Sequence, residues 1–324
     1  MTVIGYHASH EQFAPSELLK LVVMAEEAGF GAAKSSDHFH PWSERQGQSG
    51  FAWSWLGAAL QATSFSNGII SAPGYRYHPA VLAQAAATCG EMFPGRVWLA
   101  LGSGEAVNEA ITGEFWPEKA ERNARLKECV DITRALFSGQ TVTHRGRVTV
   151  VEAKLYTRPS DPVPLFGAAV SAGTAKFVGT WADGLLTTSG GDIETTREVI
   201  TAFREAAGPN KPIYLQHALS WAETVDQAYN EALDQWAPAA AGGEVNWDLR
   251  RPSDFDLIAK TVRREDIDRC MKVSSDLGQH AAWIAELAEL GADRIFLHCV
   301  GKNQRHFIEA FSSVVRPLNG SNVV

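Results

Sequence analysis

Cysteine is scarce in this sequence: four residues in 324, Cys89, Cys129, Cys270 and Cys299, far apart and with no C-x-x-C pair. That spacing excludes a zinc ribbon and a disulfide-stapled scaffold, and it fits a reducing, cytoplasmic setting. No Lys/Arg block occurs and the formal net charge is −8, so neither nucleic-acid phosphates nor an anionic membrane surface is an expected partner. No uninterrupted apolar run is long enough to span a bilayer. The opening "MTVIGYHASHEQF" lacks the charged-then-apolar profile of a secretion signal. Missing too is a G-x-G-x-x-G after the first strand. The nearest approach, "GSGEAVNE", follows the fourth strand and lacks the third glycine, which argues against a doubly wound dinucleotide-binding sheet.

What is present is alternation. "TVIGYHAS", "GAAKSSDHF", residues 67–71, "GRVWLALGSGE", "VPLFGAAV", "ADGLLTTSG", "PIYLQHA" and "ADRIFLHC" read as strands, with amphipathic helical stretches between them. Pro79 suits a first helical turn, and Gly139 suits a C-cap. A hairpin-like insertion turns at Arg145–Gly146, and residues 239–275 follow no regular pattern. Eight units linked as parallel crossovers predict a (β/α)8 TIM barrel with insertions, one domain over 1–324.

In such a barrel, chemistry belongs at the carboxyl ends of the strands. Asp37, His38 and His40 follow the second strand; Ser103, Glu105 and Asn108 follow the fourth; Ser171 and Thr174 follow the fifth. Thr187, Thr188 and Ser189 follow the sixth, with His217 and His298 at the last two. His38-x-His40 has the form of a metal-ligand pair, with His217 and His298 as further donors, and a metal-dependent hydrolase is one reading. No strand end supplies the usual bridging ligand or late aspartate, and Pro41 implies that the chain has already turned. No metal is therefore expected. An acid–base site is the second reading, with His38 titrating near neutral pH and Asp37 and Glu105 as carboxylates. The blander alternative makes His38 a satisfied core histidine. A third reading takes Ser171 and Thr174 as a phosphate cradle at a helix start, against plain N-capping. Trp53 and Trp55 are expected in the core, and Trp42 in a pocket wall.

"GYHASHEQFAPSEL", "SDHFHPW", "YRYHPAVLAQA", "FPGRVWLALGSGEAVNE", "WADGLLTTSG" and "NQRHFIEAF" carry a resemblance to the bacterial luciferase-like flavin and deazaflavin oxidoreductases. The branch they resemble contains the deazaflavin-dependent glucose-6-phosphate dehydrogenases, and the match runs almost end to end. The resemblance implies the same barrel, His38 as the active-site histidine and Glu105 as its acid–base partner. It implies cofactor contacts at Asp37, Ile70, Ala72, Ser103, Gly104, Asn108, Ala169, Val170, Ser171, Gly173, Thr174 and Thr188. Glu11, Trp42 and His40 would line the substrate side, and a cis peptide would join Ile69 to Ile70. The family's three phosphate-binding cations correspond to Gly191, Asn246 and Cys270, so glucose 6-phosphate is not the expected substrate. Val170-Ser171 stands where deazaflavin enzymes carry two glycines. The expected cofactor is accordingly FMN, with coenzyme F420 as the alternative. The expected activity is a monooxygenase or dehydrogenase acting on a small organic substrate, with a separate flavin reductase as a partner and a homodimer as the assembly.

Overall fold

The computed structural model describes residues 2–320. Its strands are β1 Val3–Ala8, β2 Ala32–Ser35, β3 Ser66–Ser71, β4 Val97–Leu101, β5 Val142–Arg145, β6 Thr149–Ala153, β7 Leu165–Ala168, β8 Gly184–Ser189, β9 Ile213–Trp221, β10 Lys272–Ser274 and β11 Arg294–Cys299. Eight of them run parallel in the order β9, β11, β1, β2, β3, β4, β7, β8, and pairing of β8 with β9 closes the ring. With helices between successive strands, this is the expected (β/α)8 barrel. The β5–β6 hairpin stands outside it, as the Arg145–Gly146 turn predicts.

Alternation along each strand separates two cores. Outward-facing Ile4, Tyr6, Leu99, Leu165, Leu185, Leu215 and Leu297 pack under the helices. Inward-facing Ala32, Trp98, Phe166, Tyr214 and Phe296 fill the lower barrel, with Phe166 stacked on Tyr214 at 4.3 Å between ring centroids. Gly68 makes room for this layer, because a Cβ there would sit 1.9 Å from the Trp98 ring. One layer higher, the same alternation points His7, Lys34, Gln216 and His298 inward. Helix starts are fixed by side-chain caps: Ser171, Asp192, Thr224, Asp276 and Asn303 each accept from a backbone N–H of the first turn.

Three differences from the sequence reading concern the top of the barrel. β2 stops at Ser35, so Asp37 and His38 lie in a loop whose side chains are not bound to alternate faces. Residues 239–275 form short helices, among them Pro252–Ala259, and end in β10, which extends the sheet beside the end of β9. The Ile69–Ile70 peptide is trans, and no cis bond occurs among the described residues. β3 keeps its ladder with β4 through Ile69, Ile70 and Ser71, and the trans form is the ordinary preference of a non-proline bond. No helix among the described residues is long and apolar enough to cross a membrane.

Candidate active site

A cavity of about 480 Å³ opens at the carboxyl ends of the strands. His38, Glu11, Glu105 and Trp42 line it, as do Ile70, Ser103, Gly104, Ala169, Val170, Thr174 and Thr188. Residues 239–275 close one side through Asn246, Trp247 and Cys270. Trp42 lies 4.9 Å from the His38 ring and is held edge-on by Phe255 at 5.3 Å.

The imidazole of His38 is gripped from both sides. Its Nε2 lies 3.2 Å from Glu11 Oε1 and 3.8 Å from Glu105 Oε2, while Nδ1 meets Asn108 Nδ2 at 3.0 Å. Asn108 Oδ1 accepts from the backbone N–H groups of Phe39 and His40. Those groups only donate, so the amide must turn its NH2 toward His38 Nδ1 and toward Glu105 Oε2, also at 3.0 Å. Nδ1 is thereby an acceptor, and the neutral ring carries its proton on Nε2, facing the carboxylates.

The two carboxyl groups are driven apart electrostatically. Burial opposes ionisation of Glu11, but His38 and the Ser36 hydroxyl, which donates to Oε2 at 2.8 Å, outweigh it and hold Glu11 below its usual value. For Glu105 burial dominates over the attraction of His38 and raises it. Two carboxyl groups shifted in opposite directions therefore flank one imidazole, an arrangement that supports acid–base chemistry at a substrate oxygen.

Eight of the candidate residues do not line this cavity: Asp37, His40, Ala72, Asn108, Ser171, Gly173, His217 and His298. Asp37 points away from it into a buried cluster, accepting from Ser71 Oγ at 2.6 Å, Tyr77 OH at 2.9 Å and Arg76 Nη1 at 3.2 Å. Arg76 also meets Glu109 Oε1 at 3.5 Å, and burial beside Asp37 pushes the Glu109 carboxyl up to about 7 despite that contact. Asn108 acts through His38 and Glu105, and neither Ala72 nor Gly173 is among the lining residues. His40 turns out of the cavity, its Nδ1–H donating to the Val107 carbonyl at 2.7 Å, so it shares no common space with His38. His217 faces outward and meets Ser189 Oγ at 2.7 Å.

Ser171 is spent as an N-cap: its hydroxyl accepts from Thr174 N and donates to Thr174 Oγ1 at 3.0 Å. The hydroxyl pair that suggested an FMN phosphate cradle thus has a local structural task. Gly191 packs so tightly that a Cβ would lie 2.1 Å from the Asp268 carbonyl. The sequence reading missed Lys34, His7 and Gln216, which also line the cavity. A lysine at an inward position of a four-residue buried strand was the available signal.

The chain can be compared with proteins already known. Residues 1–294 match the family model described as luciferase-like monooxygenase. An F420-dependent glucose-6-phosphate dehydrogenase of Mycobacterium tuberculosis is 36% identical over 328 residues, covering 97% of each chain. One of Segniliparus rotundus is 35% identical with the same coverage. The solved structure of an F420-dependent secondary alcohol dehydrogenase, in complex with an F420–acetone adduct, superimposes with a TM-score of 0.89. It shares 33% identity and is matched over 97% of this chain and 99% of that one. These relatives overturn the expectation of FMN with a monooxygenase activity, because all three, at 33–36% identity over nearly the whole chain, are named for F420 and for dehydrogenation. The exclusion of glucose 6-phosphate does not stand either, against relatives named for that substrate.

Proposed function

The chain belongs to the luciferase-like monooxygenase family, and we propose that within it this protein is a coenzyme F420-dependent dehydrogenase. It moves hydride between the deazaflavin and a substrate carbon that bears a hydroxyl or carbonyl oxygen. The observation that carries this reading is His38 Nε2, held at the cavity wall between Glu11, which its partners hold below its usual value, and Glu105, which burial raises above its own.

The residues present fit a planar ring. Gly102 lies beside Ala168 on the neighbouring strand end, where a Cβ would lie 3.7 Å from the alanine methyl and crowd the cavity lining. Gly104 has φ +81°, and a Cβ there would stand 2.9 Å from Glu109 Cγ, so backbone alone lines that wall. Ile70, Ser103 and Gly104 would hold the deazaflavin on one side, with Ala169, Val170, Thr174 and Thr188 on the other. When bound, the deazaflavin supplies a two-electron hydride acceptor or donor.

The rest of the chemistry belongs to the chain. His38 Nε2–H donates to the substrate oxygen and steadies the charge that develops on it, while the proton of that oxygen passes to or from Glu105 as hydride leaves or reaches the adjacent carbon. Glu11 keeps its charge and, as the acceptor facing Nε2–H, holds the imidazole in this tautomer and orientation. Glu105 holds or releases a proton beside the same nitrogen, and Trp42 excludes water over the ring. The test is anaerobic: protein, oxidised F420 and either propan-2-ol or glucose 6-phosphate, followed by loss of the deazaflavin's visible absorbance. Reduction with either alcohol supports the reading. F420 that binds to no measurable extent, or turnover that requires oxygen, refutes it.

A further inference from the structure

The cavity floor holds an amine that the reaction above does not use. Lys34 is 2% exposed, stands on the inner face of β2 and lines the cavity beside Gln216. Its Nζ donates to Gln216 Oε1, and no ion pair among the described residues includes it. Glu11, the acidic group whose charge reaches it, is already engaged by His38 Nε2 and by the Ser9 and Ser36 hydroxyls at 2.9 and 2.8 Å. An ammonium has three donors, so two remain for a ligand. Burial pushes this group down to about 7, the response of a cation without a counter-ion.

Its surroundings are ordered to receive a donor at this point. The Val300 carbonyl can only accept, so Gln12 turns its Nε2 toward it at 2.7 Å. Gln12 Oε1 then faces His298 Nε2 at 3.4 Å. His298, which burial keeps neutral by pushing it to about 3, accepts through Nδ1 from Gln216 Nε2 at 3.2 Å. Gln216 Oε1 is left toward Lys34. The polarity of the whole row is therefore set from a backbone carbonyl up to the lysine. One layer below, the barrel is filled by apolar side chains, so packing alone does not call for an amine here.

We propose that Lys34 is the anion-binding end of the substrate site, taking a carboxylate carried by the molecule whose oxygen-bearing carbon meets His38. Lys34 is the buried cation of the cavity, since Lys119 and Arg269, which also line it, are exposed to solvent, and one buried ammonium matches a monoanion. The assignment rests on the cavity being the hydride-transfer site, and it narrows the substrate class to hydroxy or oxo acids.

The experiment is calorimetric titration of the F420-loaded protein with isobutyrate and with its neutral isostere, isobutyramide. The acid should bind at least about tenfold more tightly than the amide, as expected for one charge-assisted contact. In Lys34→Met and Lys34→Gln that preference should vanish while F420 affinity changes less than about twofold. Equal binding of acid and amide to the unmutated protein overturns the proposal without any variant. A preference retained in both variants overturns it as well. Loss of F420 affinity alongside the preference assigns Lys34 to the cofactor and likewise overturns it. Failure of the unmutated protein to bind F420 at all refutes the functional reading instead. The acid–amide comparison on the unloaded chain then still decides the role of Lys34.

Discussion

Asn108→Asp exchanges one donor for one acceptor and probes how the site sets its proton positions. Asn108 Oδ1 stays engaged by the Phe39 and His40 N–H groups, so the loop after β2 keeps its anchor. What changes is the atom 3.0 Å from both His38 Nδ1 and Glu105 Oε2. The hydrogen bond to the imidazole contributes about 1 kcal/mol and the one to a carboxylate about 2 kcal/mol, so about 3 kcal/mol of positioning is lost. The new carboxylate oxygen also opposes Glu105, and the local relief is for His38 to place a proton on Nδ1. Nitrogen-15 NMR of labelled histidine reads this directly. The unmutated protein should show the Nε2–H tautomer and the variant a protonated Nδ1. If the 3 kcal/mol is realised in the transition state, kcat/KM falls about a hundredfold. An unmutated protein with its neutral proton on Nδ1, or a variant with unchanged tautomer and full activity, refutes the argument.

Other outcomes follow from the same geometry. His38→Ala should lower kcat/KM by about 10²–10³-fold, the usual contribution of a positioned donor to the reacting oxygen, with F420 affinity measured by fluorescence nearly unchanged; matching losses in both would make His38 a cofactor ligand. Glu109 titrates near 7 in the folded chain against an ordinary 4.5, so the folded state binds the extra proton between these values. Stability is then full below pH 4.5 and declines by about 3 kcal/mol as pH rises through 7, and urea midpoints of Glu109→Gln should lack that slope. An identical slope in protein and variant would place the titration elsewhere. Gly68→Ala should destabilise the barrel by about 1–3 kcal/mol by overpacking against Trp98, read as a lower melting temperature with the cavity residues untouched.

Most of the fold is legible because a barrel strand declares itself twice, through apolar alternation and through the helix that follows. "PIYLQHALSW" shows both, and β9 occupies it. The irregular segment was not legible as a cavity wall because Phe255 and Trp247 meet Trp42 and the cavity only after the chain has returned across the barrel top. Within the site, His38 and Glu105 were readable from their places after neighbouring strands. The role of Asp37 was not. Its partners Arg76 and Tyr77 lie 39 and 40 residues away, and a loop residue has no alternation to fix its direction. The FMN expectation failed for a local reason: hydroxyls before a helix look alike whether they cap it or hold a phosphate, and Ser171 caps. Lys34 was readable by its period-two position, yet its meaning depended on Gln216, which is 182 residues distant.

The central claim is that this cavity is built for the deazaflavin. Titrating the purified protein with F420 and, separately, with FMN, each followed by cofactor fluorescence, tests it most directly. F420 should saturate one site per chain and bind at least about tenfold more tightly than FMN. Tighter binding of FMN, or no saturation by F420, would contradict the account.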